Sequence, residues 1–284
     1  MKKLFSFFVG AICLVSHISF AQENNSMLWE ISGNGLQQPS YIQGTFHMMC
    51  AKDFQMKQKT IDALGKVKRL VLELNYTDPT EMAAVQKMMQ SEQKLSEKLS
   101  ADEAAELNEV LNSYGVTLQA VNNYSPQALY SFIGKKATPC PQTEIKMYEI
   151  ELLTLAAKSG KTFGGLEKVA DQTDALGKSY DLKEIIRQLK AGDEYAILSK
   201  SMIKAFNEEN LIALDELLKD ERFMNKEQED LMLNKRNIDW VSKKMPAMME
   251  KESVLFAVGG GHLLGKEGVL NLLKEKGYTI KPVR

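Results

Sequence analysis

The strongest constraint on this chain is how far apart its strand-like segments lie. Short apolar runs occur near the N-terminus, at 68–74 (KRLVLEL), at 161–166 (KTFGGL) and at 253–258 (SVLFAV), and long stretches of helical periodicity separate them. Segments so distant bury their apolar faces by meeting in one sheet, which the intervening helices then cover. The expectation is an α/β fold: a small mixed sheet assembled from distant segments, with a large helical cap. The sheet core is expected from 27–78, 161–177 and 250–284, and the cap from 79–160 and 178–249.

Local signals fill in this outline. Residues Met27 to Ser32 alternate apolar and polar, Gly33-Asn34-Gly35 supplies a turn, and Tyr41 to Gly44 returns as a strand, so an N-terminal hairpin is predicted. Ser100-Ala101-Asp102-Glu103 is a capping box for a helix that Gly115 stops. Further helices are predicted over 79–90, 125–136, 144–159, most of 181–250 and 266–276, with a last strand at Tyr278-Thr279-Ile280. No repeat of solenoid period is present.

The chain opens with Met1-Lys2-Lys3 and then an almost wholly apolar run to Phe20, and Ser19 and Ala21 stand at the −3 and −1 positions of a cleavage site. This reads as a secretory signal peptide over residues 1–21. The run is short for an uncleaved membrane anchor, and Gly10-Ala11-Ile12 before Cys13 is a poor lipoprotein site. Cleavage removes Lys2, Lys3, Cys13 and His17, leaving His47 and His262 as the histidines and Cys50 and Cys140 as the cysteines. No other apolar run spans a bilayer. The expectation is a soluble protein of an exported compartment, most simply a bacterial periplasm. With 36 basic against 37 acidic residues and 44% apolar content, the composition argues against electrostatic nucleic-acid binding and against disorder.

Both remaining histidines sit in one local pattern. Gly44-Thr45-Phe46-His47 and Gly259-Gly260-Gly261-His262 each follow a strand, where α/β sheets place their ligand crevices. Glu73 interrupts a buried-looking strand, a costly place for a carboxylate without a partner, and Glu167 follows another strand. Two imidazoles with one or two carboxylates suit a borderline divalent cation such as Mn, Co or Zn. The competing reading of each residue is structural: a satisfied core histidine, a paired glutamate. In an oxidising compartment Cys50 and Cys140 are expected to form a disulfide, although His47-x-x-Cys50 also has metal-ligand spacing. Met pairs such as Met48-Met49 and Met248-Met249 read as helix-packing core, with adaptable peptide-binding surface as the alternative.

Leu28-Trp29-Glu30-Ile31, Tyr41 to His47, Val71-Leu72-Glu73-Leu74, Gly165-Leu166-Glu167, Arg236-Asn237 and Ala257 to Leu263 occur in order. Together they resemble the motifs of the TraB/GumN family, which includes the Tiki proteases, over nearly all of 27–284. The resemblance implies a metal-dependent hydrolase, most simply a peptidase, with a ChaN-like or erythromycin-esterase-like fold. It implies His47 and His262 in the active centre with an essential glutamate, which either Glu73 or Glu167 would supply. On that basis His47, His262 and a glutamate hold the ion, the second glutamate acts as general base, and Arg236 stabilises the oxyanion or binds a substrate carboxylate. Two alternatives stay open. One is a non-catalytic periplasmic protein that binds a peptide or a haem-like ligand through the histidines. The other is a metal-independent, histidine-based hydrolase.

Overall fold

The computed structural model describes residues 25–284, so the signal segment expected at 1–21 lies outside the described residues. The strands are β1 (Leu28–Gly33), β2 (Ser40–Thr45), β3 (Met49–Cys50), β4 (Arg69–Leu72), β5 (Ile145–Lys146), β6 (Thr162–Gly165), β7 (Val254–Gly259) and β8 (Tyr278–Pro282). Six of them form one mixed sheet in the order β6-β4-β7-β2-β1-β8, while β3 and β5 pair separately. The distant segments do meet in one sheet, and the fold is α/β.

The pattern of each strand fits its place. β7 is central, parallel to β4 on one side and to β2 on the other, and Val254 to Val258 are all buried. Parallel strands covered on both faces read as unbroken apolar runs, and β7 does. Phe256 is fully buried there, and truncating such a ring costs about 3–5 kcal/mol. β8 is an edge strand that alternates between buried or half-buried and exposed side chains from Tyr278 to Lys281. The expected hairpin is present, with Leu28 opposite Gln43 and Ile31 opposite Ser40.

The helices divide between two hydrophobic clusters. The larger surrounds the sheet and includes Tyr148, Leu152 and Ala156 of the helix Tyr148–Lys158, together with Phe206, Trp240 and Met245. The second is helical and joins Leu107, Leu111, Leu129, Ile133, Ile185 and Leu189. Its helix Ala101–Ser113 begins at the predicted capping box, in which Ser100 and Glu103 exchange both bonds.

The helical stretch from Lys226 to Lys251 contains two π-turns, at Asp230–Asn234 and Trp240–Lys244. The second lies just before Pro246, which has no N–H to give the preceding turn. The first ends two residues before Arg236, which Asn237 follows. Wide turns of this kind re-aim side chains and recur at functional sites.

Candidate active site

Four neighbouring strands, β6, β4, β7 and β2, run parallel. Their C-terminal ends therefore form a row, and each delivers one residue singled out in the sequence. Glu167 lies two residues beyond β6, Glu73 directly beyond β4, His262 three beyond β7 and His47 two beyond β2. Gly44 allows the last two strand ends to approach: a Cβ there would stand 2.8 Å from Leu263 Cδ1.

Arg236 binds the two carboxylates together. Its Nη2 donates to Glu73 Oε2 at 2.6 Å and to Glu167 Oε1 at 2.5 Å, and its Nε donates to Glu167 Oε2 at 3.0 Å. The side chains of Arg236, Glu73 and Glu167 are only 10%, 8% and 3% exposed. The Gly259 N–H donates to Glu73 Oε1 at 2.7 Å, and the Gln172 amide donates to Glu167 Oε1 at 3.1 Å. Burial pushes both acids up, but their partners differ. The charges of Arg236 and His47 and the Gly259 N–H hold Glu73 well below the usual carboxylate range. Glu167 stays above it, because burial and the Glu73 charge outweigh Arg236 and the Trp240 indole N–H. Glu167 is thus the carboxyl of the pair that takes a proton first.

The imidazoles reach the same spot from opposite environments. A Cβ placed on Gly259 would lie 3.4 Å from both Glu73 Oε1 and His47 Nε2, and 3.6 Å from His262 Cδ2. The bare glycine keeps that space open. His47 is 62% exposed, and its Nδ1 donates to Glu149 Oε1 at 2.7 Å. Glu149 is buried and also accepts from Thr45 Oγ1. Its charge raises the His47 pKa from 6.5 to about 9. His262 is buried against Trp240, with ring centroids 4.6 Å apart, and burial lowers its pKa to about 3, so it is neutral. The Asn237 amide nitrogen is engaged by the Glu267 carbonyl, so its Oδ1 accepts the His262 Nδ1 proton at 2.7 Å. The His262 Nε2 lone pair is left free to face Arg236 Nη1, 3.3 Å away.

The structure thus brings His47, His262, Glu73, Glu167 and Arg236 together. Cys50 and Cys140 form the expected disulfide, with Cα atoms 6.0 Å apart. The TraB/PrgY/gumN family profile matches residues 27–282. The chain belongs to the TraB/PrgY/gumN family. It is similar to the curated protein "Metalloprotease TIKI1" of Danio rerio, with 22% identity over an alignment covering 90% of this chain. That alignment covers 63% of TIKI1, so the chain spans less than two thirds of that relative's length. No solved structure matches.

Among the described residues, no three His, Cys, Asp or Glu side chains are gathered closely enough to hold a metal ion as they stand. The donor chemistry of this TraB/PrgY/gumN site nevertheless fits one. Each imidazole has its Nδ1 fixed by an oxygen, as metal-bound histidines do; His47 turns Nε2 toward the Gly259 spot and would release a proton on binding a metal there, while His262 turns Cδ2 toward it and would exchange the Arg236 contact of its Nε2 for the ion. Glu73 Oε1 lies beside them, whereas both oxygens of Glu167 are engaged by Arg236. Glu149, Thr45 and Gln172 were not legible as site residues in the sequence. Glu149 lies in the first turn of a helix whose apolar face dominates its pattern, and long-range contacts, among them the pairing of β3 with β5, carry it to His47.

Proposed function

We propose that this protein is an exported metal-dependent hydrolase that cleaves peptide bonds. One observation carries the reading: His47 Nε2, His262 Cδ2 and Glu73 Oε1 surround one glycine-kept space, and the Nδ1 atoms of both imidazoles are held by oxygens. His47, His262 and Glu73 would hold a Mn, Co or Zn ion, which when bound supplies Lewis acidity and an ionisable water. The likeness to TIKI1 and the family membership support hydrolysis of a peptide as the reaction.

The protein's own groups divide the remaining work. His47, on the open side, exchanges protons with water and substrate, and Glu149 holds its ring by Nδ1. Arg236 keeps its charge at every pH of interest. It places that charge beside His262, where negative charge develops on a substrate carbonyl oxygen. Glu167 anchors the guanidinium and does not reach substrate.

A specific feature also supports a second reading. The Thr45–Glu149–His47 chain is complete, and Arg236 already meets the His262 Nε2 and Glu73, which suits a metal-independent, histidine-based hydrolase in which His47 serves as general base once it has lost its proton, so that turnover rises toward pH 9. One assay separates the two. Protein beginning at Gln22 is incubated with a peptide mixture under added Mn, Co or Zn and under EDTA, and products are read by mass spectrometry. Metal-stimulated, EDTA-sensitive cleavage lost in His47→Ala and His262→Ala supports the first reading. EDTA-resistant cleavage lost in His47→Ala supports the second, and cleavage unchanged in both variants overturns both. Among the described residues no helix is long and apolar enough to cross a membrane. An intact mass starting at Gln22 in an exported fraction checks export.

A further inference from the structure

Two stretches far apart in sequence run antiparallel beside His47 and are fastened along their length. At one end Cys50 is bonded to Cys140, across 90 residues of chain. Next to it the Ala51 N–H donates to the Glu144 carbonyl at 2.7 Å, and β3 pairs with β5, with Cys50 opposite Ile145 and Met49 opposite Lys146. At the other end Thr45 and His47 both bond Glu149 Oε1. Disulfide, ladder and site are consecutive fasteners of one clasp.

The backbone before His47 is held by β2 and by Phe46 against Phe206, but the imidazole itself depends on the clasp. The His47 side chain is 62% exposed and its described hydrogen bond goes to Glu149. A two-residue ladder is too short to persist alone, since even an isolated hairpin is marginal in water. Cys50 is 3% exposed, so its end of the clasp is packed as well as bonded. Met48, between His47 and the ladder, reaches the helix Pro126–Ala137, where a Cβ on Gly134 would meet its Cε at 3.1 Å.

We infer that the Cys50–Cys140 disulfide is a positioning element for His47: it holds the imidazole on Glu149, and its reduction releases the ring from the site. This rests on the functional reading above for its consequence in catalysis, but the coupling itself is a property of the fold. The redox step is a thiol–disulfide exchange. A dithiol reductant gives up two electrons and two protons, the S–S bond breaks, Cys50 and Cys140 become thiols, and the reductant closes its own disulfide. An exported protein that passes through a reducing stage would then have its histidine unanchored until oxidation.

The test uses the two-histidine mature chain, metal-free, observed by NMR of the imidazole N–H groups, with His47→Ala and His262→Ala for assignment. In the oxidised protein the His47 Nδ1–H, bonded to a buried carboxylate, is expected as a resolved downfield signal. Dithiothreitol below the melting temperature, with fold retention checked by circular dichroism, is expected to abolish that signal and leave the His262 Nδ1–H in place. Cys50→Ala/Cys140→Ala should behave like the reduced protein; if that variant does not fold, reduction of the wild type decides alone. Any hydrolysis should fall by about 10²-fold on reduction, as expected for a catalytic group displaced by an ångström or so. A His47 signal that survives reduction overturns the inference. Absence of hydrolysis in the oxidised protein, both with Mn, Co or Zn restored and without, overturns the functional reading and leaves the coupling to be judged by the NMR result.

Discussion

Arg236→Met is the perturbation that most directly tests the architecture of the site. The guanidinium makes bonds of 2.5, 2.6 and 3.0 Å to Glu73 and Glu167, and all three side chains are at most 10% exposed. Methionine fills much of the same volume and removes the charge, leaving two buried acids with no cation between them. Removing one partner of a buried pair costs about 3–5 kcal/mol. For a protein of this size each kcal/mol lowers the melting temperature by roughly 2–4 °C, so a loss of roughly 6–20 °C is expected at pH 7.5. The sign of the pH dependence is fixed as well. Without Arg236, burial and mutual repulsion raise a folded-state carboxyl above its unfolded value near 4.3. The folded variant then binds more protons than the unfolded chain between those values, so its stability falls as pH rises and its deficit is larger at pH 7.5 than at pH 5. Arg236→Met/Glu167→Gln should recover much of the loss, because the two changes act on one cluster and are not additive. Thermal melts of wild type, single and double variants at both pH values measure all of this. A single variant melting within about 3 °C of wild type at pH 7.5 would show that the arginine does not hold these acids in place.

Three further outcomes are expected. The raised pKa of His47 contributes stability that is complete below about 6.5 and lost as pH rises through about 9, so wild type and His47→Ala should converge in urea stability above that value. Gly259→Val fills the space between Glu73 and the imidazoles. It should fold, lose hydrolysis and fail to retain added Co or Zn after dialysis, and metal retention equal to wild type contradicts the placement of the site. Ser100→Ala removes the cap of the helix Ala101–Ser113 and should cost about 1 kcal/mol in urea unfolding with turnover unchanged.

The sheet was legible because parallel strands buried on both faces announce themselves as apolar runs, and 253–258 is the clearest of them. The Gly-x-x-His pairs were legible because the strand ends place them in the crevice. The role of Glu149 was not, since a carboxylate in the first turn of an amphipathic helix has an ordinary explanation as a partner of the helix dipole. The side of the molecule a helix joins was equally hidden. Residues 144–159 show clean helical spacing, yet that spacing does not say that Tyr148 and Leu152 face the sheet while the helix Ala101–Ser113 faces a second core. Periodicity reports a buried face and not the partner that buries it. The two roles of Glu73 and Glu167 were also unreadable, because the residues share one local pattern and differ only in what each strand end meets.

That difference follows from strand order. Glu167 terminates the edge strand β6, and Glu73 terminates its inner neighbour β4. Arg236 takes both oxygens of Glu167 but a single oxygen of Glu73. The other oxygen of Glu73 is turned toward β7, where the Gly259 N–H holds it beside both imidazoles. A sheet that carries its acids on the edge and next-to-edge strands, and its histidines on the two strands beyond, sorts chemically similar residues into an anchor and a working group. Exchanging Glu73 and Glu167 for glutamine one at a time should show the sorting. Glu73→Gln leaves the arginine anchored by Glu167, abolishes turnover and lowers stability at neutral pH, because the folded protein favours that carboxylate in its ionised form. Glu167→Gln leaves the guanidinium on Glu73 alone and should reduce turnover through the displaced Arg236, with the smaller loss of stability because burial already works against the Glu167 charge. Equal effects of the two variants on both measurements would mean that strand position does not divide their roles.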